Sequence, residues 1–183
     1  MSSLSVVDVS NEMYVMKRSG KTEPISFDKI MFRLKKLSNM EGMKSIKNIK
    51  LTDLVMKIIN QLYDNITTKD IDELSAQQCA YMSSVHPDYS LLADRIVISN
   101  HHKNTFKDTF ESRMEKLYYF KDIHEEYCPI ISKHIYDIAL KYKTLLEAEI
   151  DYSRDYLIDY FGFKTLERAY LMRVNKVVIE RPQ

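Results

Sequence analysis

The sequence predicts a mainly α-helical fold with a small β component, and three observations carry that expectation. Only 3 Gly and 4 Pro interrupt 183 residues rich in Lys, Leu, Ile and Asp, a composition that favours helices. Apolar residues recur at helical spacing through most of the chain, as in Ile30, Leu34 and Leu37. Extended patterns are short, and the first flanks Ser19-Gly20, a pair suited to the positive φ angles of a tight hairpin turn. The expected architecture is about four helices capped by a three-stranded sheet over residues 13–104. A helical segment ending in a β-hairpin follows over 105–183, and residues 1–12 form a flexible extension.

In order, Tyr14-Val15-Met16 is the first strand and Thr22 to Phe27 the second, and the chain turns helical at Asp28. Ser38 to Lys50 holds Gly42 and polar breaks and reads as a loop. Thr52 is placed to cap a second helix whose inward stripe is Leu54, Val55, Ile58, Ile59 and Leu62. Ile66-Thr67-Thr68 is short and β-branched, fit to add a third strand, and Thr68 is placed to cap a third helix. On that helix Ile71, Leu74, Tyr81 and Val85 fall near one face. His86-Pro87-Asp88 breaks it, with Pro87 at the first position of a fourth helix running to about Lys103. Beyond, Phe106 to Tyr119 and Ser132 to Ile150 read as helices, and Tyr152, Tyr156, Tyr160, Phe161, Phe163 and Tyr170 crowd the stretch that follows. Leu171 to Val174 and Val177 to Ile179 flank Asn175-Lys176 as a second hairpin. An apolar strand at the very end exposes an unpaired edge, which predicts the front part of a longer protein.

A formal charge of +1 argues against a general nucleic-acid or membrane surface. No apolar run approaches the ~20 residues that span a bilayer. The opening MSSLSVVDVSNE has neither the basic start nor the apolar stretch of a signal peptide. Cys79 and Cys128 are then expected to be reduced, buried thiols of an intracellular, cytoplasmic protein. The glycine-rich phosphate loops, C-x-x-C and H-E-x-x-H are all missing from the sequence, so phosphate binding must use side-chain cations and helix ends, and no zinc site is signalled. His124 and Cys128, four apart, are too few for a metal site, and His101-His102 reads as a surface pair at a helix end. The thirteen tyrosines read as aromatic core and amphipathic surface.

One cluster is positive. Lys17, Arg18, Lys21 and Lys29 gather on the first hairpin and helix, Thr68 and Asp72 lie one turn apart on the third helix, and Lys103 ends the fourth. Residues 13–104 carry 14 Lys+Arg against 10 Asp+Glu, a net +4, whereas 105–183 carry 13 against 14.

With these residues in view, Val15-Met16-Lys17-Arg18-Ser19-Gly20-Lys21, Glu23 and Phe27-Asp28-Lys29-Ile30 resemble the opening signature of the ATP-cone, the regulatory nucleotide-binding module of ribonucleotide reductases. Leu62-Tyr63 through Ile66-Thr67-Thr68, with Asp72, resembles its middle motif. His86-Pro87-Asp88-Tyr89, Ala93-Asp94-Arg95-Ile96, Ser99-Asn100 and His102-Lys103 resemble its last helix. Tyr160 to Arg168 and Glu180-Arg181-Pro182-Gln183 are similar to the following part of the class I large subunit, in its eukaryotic and viral style.

The resemblance implies ATP or dATP as allosteric effector, with Mg2+ accompanying the triphosphate. It places Lys17, Arg18 and Lys103 at the triphosphate, and wraps Glu23, Pro24, Ile25, Ser26, Phe27, Asp28 and Lys29 around the adenine. Thr68 and Asp72 face the sugar, and Asp28 lies near the contact by which large subunits assemble under dATP. Pro24 departs from the pattern, since it removes a backbone donor inside the adenine-binding run. The family's redox cysteines, radical-relay tyrosines and substrate loops belong to a barrel and tail after this point. The chain is therefore expected to carry no catalytic residue and to be inactive alone. Its implied partners are the remainder of the large subunit, the small radical-generating subunit and further copies of itself, with no nucleic acid and no membrane. The alternative is a stand-alone nucleotide-binding regulatory or interaction module. A DNA-binding repressor built on the same cone would carry a zinc ribbon ahead of it, and the first twelve residues hold no cysteine.

Overall fold

A computed structural model describes residues 13–105 and 109–183. The extension expected at 1–12, and Phe106, lie outside the described residues. Strand β1 (Tyr14–Met16) is central in a three-stranded sheet, antiparallel to β2 (Thr22–Pro24) and parallel to β3 (Ile66–Thr67). The hairpin loop is three residues long and closed by the Lys17 N–H on the Lys21 carbonyl. Gly20 takes φ +81°, the left-handed position that ends such a loop.

Only two residues separate β2 from helix α1 (Phe27–Ser38), because the Ser26 hydroxyl caps the helix by accepting from the Lys29 N–H. The extended run foreseen to Phe27 thus stops at Pro24, and the helix begins at Phe27 rather than Asp28. Pro24 sits opposite Tyr14 on the edge strand, where Met13–Ile25 and Lys17–Lys21 are the bonded positions. Its missing N–H faces away from β1 and costs the ladder nothing.

Helix α2 (Leu51–Ile59) buries Leu54, Val55 and Ile58, with Ile59 and Leu62 partly buried, but has no side-chain cap. Thr52 is exposed inside its first turn. The cap of α3 (Thr68–Tyr81) is Thr67, which is extended at φ −81°, ψ 152° and closes β3 while its hydroxyl accepts from the Asp70 N–H. Thr68, expected in that role, is the first helical residue. Thr67→Ala should cost about 1 kcal/mol and lower the melting temperature by about 2–4 °C, measurable by thermal unfolding. The buried face of α3 is Asp72, Ser75, Ala76 and Cys79, not the stripe expected to reach Tyr81 and Val85, which are 68% and 71% exposed. Two of the four buried side chains are polar, so apolar periodicity misreads this helix.

Helix α4 (Pro87–Asn104) has Pro87 in its first turn and the His86 ring accepting from the Asp88 N–H. It is buried on most sides, from Leu92 and Ala93 through Ile96, Val97 and Ile98. After α4 come α5 (Phe110–Tyr118), α6 (Lys133–Lys141) and α7 (Lys143–Glu149), the last two separated at Tyr142 where one helix was expected. A 3-10 turn (Tyr152–Leu157) leads to α8 (Tyr160–Ala169) and the hairpin β4 (Arg173–Val174) and β5 (Val177–Val178). The hairpin turns through Asn175 and Lys176, both at positive φ.

The main core joins α1 to α4 and continues into α8 through Tyr160 and the fully buried Phe163. A smaller core gathers Leu117, Ile131, Tyr136 and Ile179, with Tyr118 stacked on Tyr136 at 4.3 Å between ring centroids. Two expectations fail here. Cys79 is buried, but Cys128 is exposed. The pair His101-His102 is no surface pair: His101 is 4% exposed against Phe163 and bonded to the Glu180 carbonyl, and His102 reaches Asp155 at 2.6 Å.

Candidate functional site

A cavity of about 380 Å³ opens between the first hairpin, α1, α3 and the end of α4, within the size range of small-ligand sites. One wall is apolar, made by Val15, Ile25, Ile30, Leu34 and Ile71. The opposite side is built around the Asp72 carboxylate, which α3 presents from a nearly buried position. Arg33 grips it with two bonds, Nε to Oδ1 at 3.2 Å and Nη2 to Oδ2 at 3.1 Å. Arg18 Nη2 and Lys103 Nζ stand off the same oxygen at 3.7 and 3.8 Å. Three cations thus converge on one carboxylate, more positive charge than it can neutralise.

Arg18 is fixed from several directions. Its Nε donates to Asn104 Oδ1 at 2.9 Å, Nη2 to Asn100 Oδ1 and Nη1 to Thr68 Oγ1 at 3.3 Å. Asn100 is itself anchored by donating to the Lys69 carbonyl. The guanidinium is therefore held in place before any ligand arrives. At the cavity's other side Lys17 and Lys29 clamp Glu23 at 2.6 and 2.8 Å, and their bonds hold its carboxyl below the usual range. Burial brings the Lys103 ammonium down to about 8, helped by Arg33, Arg18 and Lys36 and opposed by Asp72.

Ten of the twelve residues predicted for the site line this cavity: Lys17, Arg18, Glu23, Pro24, Ile25, Ser26, Lys29, Thr68, Asp72 and Lys103. Phe27 and Asp28 do not. Phe27 packs against the core and Asp28 is exposed in the first turn of α1. Lys21, counted with the cationic cluster, is exposed and away from the lining. Sequence reasoning missed Arg33, which makes the strongest contact with Asp72. Its signal was present, since Lys29 and Arg33 are four apart and share a face of α1. Of the apolar wall only Ile25 is among the predicted site residues; Ile30, Leu34 and Ile71 read as helical stripes and Val15 as a strand residue.

An apolar slot beside a surplus of fixed cations suits an aromatic base joined to a polyphosphate, and the first hairpin with α1, α3 and α4 frames it. That combination fits a small nucleotide-binding module. The ATP cone domain model matches residues 13–104, and the chain belongs to that family. It is also 48% identical over 171 residues to a ribonucleoside-diphosphate reductase large subunit of Plasmodium falciparum (isolate Dd2), covering 93% of this chain and 21% of that protein. It is 46% identical over 172 residues to large chain 2 of the enzyme from Saccharomyces cerevisiae, covering 93% and 19%. With the large subunit of Monkeypox virus it shares 44% over 172 residues, covering 93% and 22%. The chain spans about a fifth of the length of the curated relatives it matches. It is an ATP-cone allosteric region homologous to the N-terminal part of those large subunits. Among the described residues no helix is long and apolar enough to cross a membrane.

Proposed function

We propose that the chain senses ATP and dATP for a ribonucleoside-diphosphate reductase large subunit, and so regulates deoxyribonucleotide supply for DNA replication. The carrying observation is the convergence of Arg18, Arg33 and Lys103 on Asp72 beside an apolar slot. In this reading the adenine lies along Ile25, Ile30 and Leu34, bordered by the Glu23–Ser26 run and Lys29. Thr68 and Asp72 face the sugar, and Arg18, Lys103 and Lys17 face the phosphates. Magnesium accompanies the triphosphate, bound chiefly through the phosphate oxygens.

Regulation then follows from differential affinity: each nucleotide favours the assembly whose cone binds it better, by no more than that difference. The partners are the remainder of the large subunit, the radical-generating small subunit and further copies, all in the cytoplasm. The exposed Asp28 lies near the contact by which copies assemble under dATP. By itself the chain reduces no ribonucleotide. Calorimetric titration with dATP and with ATP tests the reading. Absence of heat, together with failure to displace a fluorescent adenine nucleotide, sinks it.

The pH dependence has a definite sign. Lys103 ionises near about 8 in the empty chain against an ordinary 10.5, and a bound polyphosphate favours the ammonium and raises it again. Binding between pH 8 and 10 therefore takes up a proton, and affinity should fall as pH rises through that window. In the empty chain the same group binds fewer protons folded than unfolded, so its contribution to stability grows over that window. Lys103→Met should flatten the dependence of affinity on pH. An equally steep profile in the variant would assign the titration elsewhere.

A further inference from the structure

Helix α5 carries a charge where its apolar stripe runs. Phe110, Arg113, Met114 and Leu117 fall three or four apart on one face, and Arg113 is only 3% exposed. Its Nη2 donates to the Tyr152 hydroxyl at 2.5 Å, while its Nη1 is fully buried and meets no partner. A second guanidinium stands beside the same tyrosine: Arg181 lies 4.5 Å from the ring centroid and Arg113 5.7 Å. Arg181 donates from Nε to Thr105 Oγ1 and from Nη2 to the His102 carbonyl, both neutral acceptors. Among the described residues no carboxylate forms an ion pair with either arginine. Asp155 is fully buried, but His102 takes its Oδ2 at 2.6 Å and its Oδ1 is left without a partner. Two cations, one of them out of water, thus share a place with no carboxylate bonded to them. A lone water could satisfy Nη1 but would leave that charge uncompensated.

Both arginines line a pocket of about 170 Å³. Much of its remaining wall is apolar, with Met114 and Leu117 from α5, Ile150 after α7, and Ile179. Glu180 also lines it, but its carboxylate is engaged by the Met172 N–H at 2.9 Å. We propose that this pocket is a second ligand site, which takes a carboxylate carried on a short hydrocarbon body. The carboxylate bonds the guanidinium groups of Arg113 and Arg181, whose planar forks of donors match it. The hydrocarbon lies along Met114, Ile150 and Ile179. Inorganic phosphate would suit the arginines but leave the apolar wall unfilled. The pocket shares no lining residue with the nucleotide cavity, so the proposal stands apart from the sensing role. A ligand here joins α5 to residues 179–181 and, by binding only the folded chain, stabilises that junction. The same chemistry comes from two sources, a free small carboxylate or an acidic side chain of a partner segment.

Titration of the 183-residue chain with three probes, followed by two-dimensional NMR, tests the site. Butyrate stands for a free carboxylate, a blocked peptide with one glutamate for an acidic side chain, and inorganic phosphate for an anion without an apolar part. Butyrate or the peptide should shift the amide signals of α5 and of residues 179–183 saturably, and the tighter of the two names the source. Phosphate should bind about tenfold more weakly or worse. No saturable shift with either carboxylate, or phosphate binding as well as both, overturns the proposal. Arg113→Met should weaken the better probe about tenfold or more. It should also leave the melting temperature of the empty chain unlowered, because it removes a buried cation that no carboxylate compensates. Retained binding in that variant overturns the proposal. So does a fall in melting temperature as large as that of a structural anchor, or a failure to fold, since Arg113 would then serve the fold. Arg181→Gln, at a partly exposed position, gives a second reading: unchanged binding there removes the two-arginine site.

Discussion

Replacing Arg95 by methionine is expected to lower the unfolding free energy by about 3–5 kcal/mol, one of the largest single losses this chain can suffer. Arg95 projects from α4 and is 6% exposed. Its Nη1 donates to the Leu37 and Ser38 carbonyls at 3.0 and 3.1 Å, and its Nη2 to the Lys44 carbonyl. Two of those acceptors are C-terminal carbonyls of α1 that lack an intrahelical partner, the Ser38 one shared with the Ile46 N–H, and the third belongs to the loop after it. Methionine has similar length and no donor, so it leaves the Leu37 and Lys44 carbonyls without their donor in low dielectric, while the Ser38 carbonyl keeps only the Ile46 N–H. Each costs on the order of 1–3 kcal/mol unless water reaches it, and the Lys44 bond is near enough to solvent for partial relief. For a chain of this size the melting temperature should fall by on the order of 10 °C. Arg95→Lys tests the geometry, because one ammonium cannot fork to carbonyls on both elements. It should recover less than half of the loss. An unchanged thermal transition in Arg95→Met would remove this anchor from the account of the fold.

The same contact explains which parts of the fold were legible. The first hairpin and α4 obey local rules: Gly20 takes the one left-handed angle its loop requires, and His86-Pro87 starts a helix by cap and fixed φ. Residues 39–50 obey them only at the Met40–Met43 turn, where Gly42 takes φ +74°. They are held from a distance by Arg95, by Asp88 accepting from the Asn48 backbone, and by the Tyr89 hydroxyl accepting from Lys50 N–H, while Ile46 drops into the core. His101 and His102 were misread for the same reason, because their partners Glu180 and Asp155 lie 79 and 53 residues away. At the cavity, the predicted cations were recognisable by motif. Arg33 shared a helix face with Lys29, but an arginine on a basic amphipathic helix is ordinarily solvated, and only the approach of α3 makes it the partner of Asp72.

Arg18→Ala should weaken dATP binding by about 2–3 kcal/mol, a ~30–150-fold rise in Kd. The loss should exceed that of Lys17→Ala, because Lys17 is already paired with Glu23 and substantially exposed. Arg18 is held by Asn100, Asn104 and Thr68 yet only loosely paired with Asp72. It therefore presents a positioned charge that a phosphate can take without first breaking a tight ion pair. Burial also pulls the Arg18 guanidinium down from its ordinary value, so an incoming phosphate meets a partly desolvated cation, where an ion pair is stronger than in water. Arg18→Lys separates charge from geometry. It keeps the cation but cannot bond Asn100, Asn104 and Thr68 together, so it should restore less than half of the lost binding energy. Full recovery by lysine would reduce the site to a point-charge attraction and assign no role to the anchoring asparagines. Affinities measured at two salt concentrations complete the test: the alanine variant should lose much of the salt dependence, whereas the lysine variant should keep it.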